Sequence, residues 1–387
     1  MANTKANHLF PIINLTIPGR INILGNPGDA NEGDFGVLSA AIEIRAQASL
    51  EPAVGINFQQ TDSRIPQAHF PLPEEPLEYD GKFDLLKGAF NRLRAYSPEF
   101  SHKLKEHGFS LKIRSSVPRQ SGFGGSSLFV LLTLAGLREL YNLDRCQHND
   151  YVLSELAQRV EARELGITAG YADRYVPLFG GLAYVDYRSK LFQNEFQSEP
   201  YATYERLDDL APPLNFLAVS TGVRHNSGNV HGRMRPRYLQ EHNVWQQRGG
   251  EPPAMVRYMV SAWECAWKGK IRLLQNDLPA FGELINENHR IVDEMMHYCG
   301  FTDGAGWANN LFIDSALKNK ALGAKLTGAG GGGSVFALVR PGEEQTLTQA
   351  WKSLANEHNL KDARIFNLKI ARRGLIIENA LQTSVES

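Results

Sequence analysis

One stretch of the chain places small, flexible residues directly in front of an apolar helix. Residues 117–130 read VPRQSGFGGSSLFV and run into the apolar segment LLTLAGL. Glycines let the backbone approach a ligand closely, serines supply hydroxyl groups, and the first N–H groups of a helix attract an anion. A phosphate group would suit this combination, although the string alone fits a serine-capped helix without a ligand equally well.

Two further stretches are rich in glycine and polar side chains. Residues 18–42 read PGRINILGNPGDANEGDFGVLSAAI, so that a strand carrying Arg20 runs into a polar turn carrying Asn26 and Asp29. Residues 325–338 read KLTGAGGGGSVFAL, which lacks the G-K-S/T ending of a P-loop and the acidic residue that completes a dinucleotide fingerprint. Each stretch taken singly is more often a turn than a site.

In this order and at these separations, the three stretches resemble the three motifs of the GHMP kinases, the family of galactokinase, homoserine kinase, mevalonate kinase and phosphomevalonate kinase. The resemblance covers nearly the whole chain. It implies an α+β protein with a ribosomal-protein-S5-like N-terminal lobe (1–210), a ferredoxin-like α/β C-terminal lobe (211–387) and an active site between them. It also implies that ATP and Mg²⁺ are the cofactors.

The resemblance also implies roles for individual residues. The segment 156–175 has a glutamate five residues before a glycine and an aspartate seven after it, as in galactokinases, which makes Asp173 the expected base and Glu161 an expected metal ligand. Mg²⁺ prefers hard oxygen ligands, so the hydroxyl of Ser127 would join Glu161, with Glu164 as the rival carboxylate. The residues expected to wrap the triphosphate are Gly122, Gly124, Gly125, Ser126 and Ser127. The catalytic cation would be Arg20, and the expected substrate contacts are Asn26, Asp29, Arg174, Gly330 and Gly331.

Three short strings favour the glucuronokinase group within the family. GNPGD at 25–29, VPRQ at 117–120 and GYADR at 170–174 are similar to the strings GNPSD, IPRQ and GLQDR of that group, and SGNVHGRMRPRY at 227–238 adds a fourth match. The expected reaction is phosphorylation of the anomeric hydroxyl of a small-molecule sugar or uronic acid, with glucuronate favoured. A neutral-sugar or heptose 1-kinase stays open, as does a ligand-binding relative without turnover, whereas a decarboxylase on the same fold is disfavoured.

A carboxylate on the substrate would need a cation in the protein. Arginine suits it because the guanidinium can form two charge-assisted hydrogen bonds with a carboxylate. The sequence favours Arg174, with Arg119, Arg233 and Arg235 as alternatives.

Regular elements must position these residues, and the apolar patterns predict a mixture of helices and strands. The predicted helices cover 83–96, 129–140, 149–165 and two long segments between 253 and 290 that break near Pro279. The predicted strands include 37–52, 109–117, 180–187, 215–220 and two near the C-terminus on either side of a helix. A proline-rich surface loop is expected at 65–76.

Composition excludes several classes of partner. The chain has 387 residues, 42% of them hydrophobic, and a formal net charge of −1, which favours neither nucleic acid nor an anionic membrane as a partner. Three widely separated cysteines and the lack of a long apolar segment lead us to expect a cytoplasmic protein with reduced thiols. Nothing in the sequence predicts its oligomeric state.

Overall fold

Two long apolar strands at the start of the chain form the centre of the first of two sheets. The computed structural model describes residues 12–30, 35–61, 67–167, 170–187, 201–223 and 227–380. Strands β1 (Ile12–Leu24) and β2 (Val37–Ala53) pair antiparallel over most of their length. Their register shifts between Pro18 and Gly19, directly before Arg20. Such a bulge re-aims the side chains that follow it, and here it precedes the first candidate site residue.

The rest of the first sheet extends on both sides of this pair. Its order is β12-β1-β2-β5-β3-β4, with β6 and β7 added beside the N-terminal half of β2. The additional strands are β3 (Ile56–Gln60), β4 (Gln67–Phe70), β5 (Gly108–Ser115), β6 (Leu182–Asp186), β7 (Thr203–Arg206) and β12 (Ile376–Ala380). Because β12 pairs with β1, the C-terminal part of the chain returns to the sheet that the N-terminus starts.

Helices cover one side of this sheet and enclose its core. They are α1 (Asp84–Tyr96), α2 (Pro98–Lys103), α3 (Gly125–Leu140), α4 (Asp150–Arg159) and α5 (Ala172–Phe179). A π-helical turn, Val160–Glu164, extends α4. Helix α3 is apolar nearly all round and packs against α1, β1 and β2, which fixes its first turn in place.

The second sheet has the strand order of a ferredoxin-like unit. Its strands are β8 (Phe216–Ser220), β9 (Gly323–Thr327), β10 (Ser334–Leu338) and β11 (Arg364–Leu368), in the order β11-β8-β10-β9 and antiparallel throughout. Helices α6 (Ser227–Arg248), α7 (Ala254–Leu274), α8 (Leu278–Tyr298) and α9 (Trp307–Lys318) connect β8 to β9, and α10 (Glu344–Glu357) connects β10 to β11. The predicted two-lobed α+β fold is confirmed.

Three elements differ from the expectations. The 65–76 segment contains strand β4, which exists because β3 offers it a partner edge, while residues 62–66 lie outside the described part. Helix α5 was not predicted after the glycine-rich turn, and the basic stretch 227–238 forms the start of α6. The division of the chain at residue 210 stays a prediction. Within the described residues, no helix is both long enough and apolar enough to cross a bilayer.

Candidate active site

Arg20 links the first strand to the glycine-rich loop and to the predicted base. Arg20 is only 3% exposed, and its Nε donates to Asp173 Oδ1 at 2.5 Å. Its Nη1 donates to the Gly122 carbonyl, and its backbone N–H donates to the Phe123 carbonyl at 3.1 Å. One buried guanidinium therefore holds the Asp173 carboxylate and the loop at fixed positions relative to each other.

The loop enters α3 through glycines in the left-handed region. Gly122 has φ +74°, and a Cβ there would lie 2.4 Å from the Thr327 carbonyl oxygen, so that only glycine fits. Gly124 is the N-cap of α3 with φ +84° and carries no side chain that could cap the helix. The first turn of α3 is therefore available to an anion.

Glu161 lies at the centre of a buried polar cluster. Its carboxylate accepts hydrogen bonds from the Ser126 and Ser127 hydroxyls, each at 2.9 Å, and forms an ion pair with Arg174 Nη2. Glu161 and Arg174 are each 1% exposed. The rival Glu164 points elsewhere, where it pairs with Arg92 and accepts from the Tyr79 hydroxyl at 3.2 Å. The structure thus brings Glu161, and not Glu164, to the loop serines.

Asp173 lies in the first turn of α5, beside the polar turn that follows β1. The neighbouring Ala172 N–H donates to Asp29 Oδ2 at 3.1 Å, which ties that turn to α5. Burial raises the pKa of Asp29, and the nearby Asp173 charge raises it further. The Asp29 and Asp173 carboxyl groups therefore lie close together, next to Arg20 and Arg174. Asp173 is the more exposed of the two.

Arg174 is held by protein groups on both of its terminal nitrogens. Besides Glu161, it donates to the Gly170 carbonyl through Nη1, and Nη1 lies 3.9 Å from Asp173 Oδ2. Burial lowers the pKa of Arg174 to about 9. The contact of Arg174 with a substrate carboxylate stays a prediction. For that contact to form, the ion pair between Arg174 and Glu161 must break.

A cavity of about 530 Å³ collects these groups. Among the predicted site residues, it is lined by Arg20, Asn26, Asp29, Gly122, Gly124, Gly125, Ser126, Glu161, Asp173 and Arg174, and of the other basic candidates by Arg119. Ser127 reaches it through Glu161. Arg233 lies on the ring of Phe301, 4.7 Å from its centroid, and lines a separate surface groove, and Arg235 lines neither cavity.

The third glycine-rich motif contributes different residues from those predicted. Gly328 and Ala329 line the cavity, whereas Gly330 packs against Met296 and Gly331 donates its N–H to the Ala305 carbonyl. The reason is the shape of the turn, which leaves β9 at Thr327 and presents only its first residues to the cavity. The sequence shows five glycines within residues 328–333 and no signal that separates the lining residues from the packed ones.

Lys325 is a functional candidate that sequence reasoning passed over. It is fully buried on β9, where its Nζ donates to Asn26 Oδ1 at 2.5 Å and to the Leu326 carbonyl at 3.2 Å. Asn26 in turn donates through Nδ2 to the Gly328 carbonyl at 3.2 Å. A charged residue inside the apolar strand GAKLT was the available signal.

The donor set suits Mg²⁺ bound together with phosphate oxygens. Among the described residues there is no group of three or more histidines, cysteines or acids that would hold a metal by itself. One carboxylate and two hydroxyls meet at Glu161, and Mg²⁺ commonly takes one or two such oxygens plus phosphate and water. The Arg174 guanidinium occupies one oxygen of that carboxylate and would compete with the ion.

Comparisons with known proteins match the chain to sugar kinases. The chain is 28% identical to a probable glucuronokinase 2 of Arabidopsis thaliana over 85% of its length and 86% of the relative's, and 28% identical to a galactokinase of Thermococcus kodakarensis over 85% and 90%. Among solved structures, the galactokinase of Lactococcus lactis with galactose covers 96% of this chain and 95% of its own, with a TM-score of 0.75 and 20% identity, which shows a shared fold.

Two family models match in their expected order. The model of the GHMP kinases N terminal domain matches residues 84–181, which contain the glycine-rich loop, Glu161 and Asp173, and the model GHMP kinases C terminal matches residues 309–357, which contain the third motif. Together with the two-lobed fold and the relatives above, these matches show that the chain contains an N-terminal and a C-terminal GHMP kinase domain.

Proposed function

We propose that this protein is an ATP- and Mg²⁺-dependent sugar kinase that phosphorylates the anomeric hydroxyl of D-glucuronate. One observation carries the proposal: the Asp173 carboxylate, paired with Arg20, opens into the same cavity as the glycine-rich first turn of α3. The loop that would bind an anion and the candidate base Asp173 thus both accept hydrogen bonds from the guanidinium of Arg20. That is the arrangement that phosphoryl transfer to a hydroxyl requires.

The reaction follows from these positions. The backbone of the loop and the N-terminus of α3 bind the phosphates of ATP, and Asp173 accepts a hydrogen bond from the anomeric hydroxyl. As the sugar oxygen forms its bond to the γ-phosphorus, the bond from that phosphorus to the β,γ-bridging oxygen breaks and ADP leaves. The hydroxyl proton passes to Asp173. Arg20 offsets negative charge between the carboxylate and the transferred group.

Glu161 and Ser127 are the residues that would hold Mg²⁺. The ion supplies neutralisation of phosphate charge when it is bound with the nucleotide. The protein's own part is to keep the Glu161 oxygens oriented, which the Ser126 and Ser127 hydroxyls do in this structure.

Two features support glucuronate among sugars. The two glucuronokinase relatives of Arabidopsis thaliana match over 85% of the chain. The cavity is also lined by the basic residues Arg119, Lys82 and His231, in addition to Arg20 and Arg174. Arginine and lysine side chains favour a substrate with a carboxylate because they can form charge-assisted hydrogen bonds with it, which a neutral sugar does not offer.

The test is ADP release across free sugars and uronic acids, with the product identified by ³¹P NMR. We expect turnover with glucuronate and a phosphate bonded to the anomeric carbon. The galactokinase relative and the heptose 7-phosphate kinase of Campylobacter jejuni, 26% identical over 72% of this chain, make a neutral-sugar or heptose kinase the second candidate. Turnover confined to galactose or a heptose would select it. Binding of ATP and sugar without any ADP release would indicate a ligand-binding relative instead.

A further inference from the structure

We propose that Lys325 is a positioning residue for the sugar, acting through the amide of Asn26. The inference rests on the proposed function, because it assumes that the wall of the cavity formed by Asn26 contacts the phosphate acceptor. Lys325 itself does not line the cavity and touches no reacting atom.

The first argument is the direction of the hydrogen bonds. An ammonium group only donates, so it fixes the Asn26 side chain with its oxygen toward Lys325 and its nitrogen toward the Gly328 carbonyl. Asn26 and Gly328 both line the cavity. Lys325 thereby joins the turn after β1 to the turn after β9 and determines which atoms of Asn26 remain for a ligand.

The second argument is that a buried lysine at position 325 lowers the stability of the fold. Among the described residues, its hydrogen bonds go to an amide oxygen and a carbonyl, and none goes to a carboxylate. A buried charge without a paired charge destabilises the fold, and a methionine of similar length would avoid that cost. The buried Lys87 shows the usual solution, since it pairs with Asp80 at 2.6 Å. An unpaired cation next to the cavity wall therefore points to a use in binding.

The surroundings of Lys325 disfavour its charged form, which is the energetic cost of burying this side chain. Cys265 on α7, His289 on α8 and Asp29 in the turn after β1 are the titratable groups that act on it. Burial lowers the pKa of Lys325 to about 7, and it also lowers the pKa of His289 to about 4, so that His289 is neutral near pH 7. The charge of Asp29 opposes this lowering of the Lys325 pKa, and Asp29 lines the same cavity.

The experiment is a double-mutant cycle of Lys325→Met and Asn26→Ala, with Lys87→Met as the control for loss of a buried lysine. We expect Lys325→Met to raise the KM for the sugar about 10-fold or more, in keeping with loss of a charged hydrogen bond that orients a buried amide. The KM for ATP and the equilibrium binding of an ATP analogue should change less than about twofold, because the loop contacts are untouched. The double variant should cost no more than Asn26→Ala alone.

The outcomes separate this inference from the proposed function. Additive effects of the two substitutions, or an unchanged KM for the sugar in folded Lys325→Met, would overturn the role of Lys325 while the kinase activity stands. An absence of sugar turnover in the unmodified protein would instead remove the proposed function. If Lys325→Met fails to fold, Lys325→Gln provides the same cycle with a neutral donor, and wild-type kinetics in that variant together with Asn26→Ala matching wild type would also contradict the inference.

Discussion

At the scale of the residue, Asp173 and Glu161 differ in their neighbours. Asp173 has an arginine partner and a side chain that is 22% exposed to the cavity, whereas Glu161 is buried and accepts from two hydroxyls as well as from Arg174. A carboxylate that still faces the cavity suits proton transfer, whereas Glu161, which lies against the loop hydroxyls, is the candidate metal ligand once the ion takes the place of Arg174. The two roles lead to different predictions.

Replacing Asp173 tests the base. Asp173→Asn should lower kcat by about 10²–10⁴-fold, the range for a positioned acid or base, while ATP binding changes little. The matched control is Asp150→Asn, because Asp150 also pairs with an arginine, Arg138, at 2.7 Å but lies outside the cavity. Steady-state kinetics and nucleotide titration provide the two readouts. Near-normal turnover in Asp173→Asn would remove it from the mechanism.

Replacing the glutamates tests the metal site. Glu161→Gln and Ser127→Ala should each raise the Mg²⁺ concentration that gives half-maximal activity, because each removes a hard oxygen or its charge. Glu164→Gln should leave it unchanged, since Glu164 pairs with Arg92. Binding of Mn²⁺ in the presence of nucleotide, followed by electron paramagnetic resonance, gives a readout independent of activity. The opposite ranking would show that the wrong glutamate has been chosen.

At the scale of the element, the start of α3 depends on the turn that follows β9. The close approach of Gly122 to the Thr327 carbonyl means that the loop of one lobe is shaped by a strand of the other. The conformation of the glycine-rich loop and the packing between the two sheets therefore depend on the same contact.

Gly122→Ala tests this dependence. The substitution combines a positive φ with a contact of 2.4 Å and should destabilise the protein by more than about 1 kcal/mol and weaken ATP binding. Gly300→Ala is the control, since Gly300 has φ +84° but open space around its Cβ position. Thermal unfolding of both variants separates the effect of a positive φ, which both share, from that of the steric clash with Thr327, which only Gly122→Ala has. Equal losses of stability, with ATP binding intact in Gly122→Ala, would mean that the loop does not depend on the second lobe.

At the scale of the whole molecule, the sequence predicted which segments meet but not how their side chains pair. The motifs at Arg20, Gly122 and Asp173 are far apart in the chain, and the structure joins them through one guanidinium. The pairing of Arg174 with Glu161 could not be predicted from the sequence because it depends on how α5 packs against the π-helical turn. The hydrogen bond of Lys325 to Asn26 joins β9 of the second sheet to the turn after β1 of the first. No local sequence pattern predicts a contact between residues so far apart in the chain.

The ratio of kcat/KM for glucuronate to that for glucose, measured with saturating ATP and Mg²⁺, tests the central claim most directly. A site that desolvates a cation for the substrate carboxylate should reject the neutral sugar, so we expect a ratio of at least ~10². The same measurement on galactose and on a heptose completes the comparison. Equal or higher efficiency on any of these neutral sugars would contradict the assignment of glucuronate.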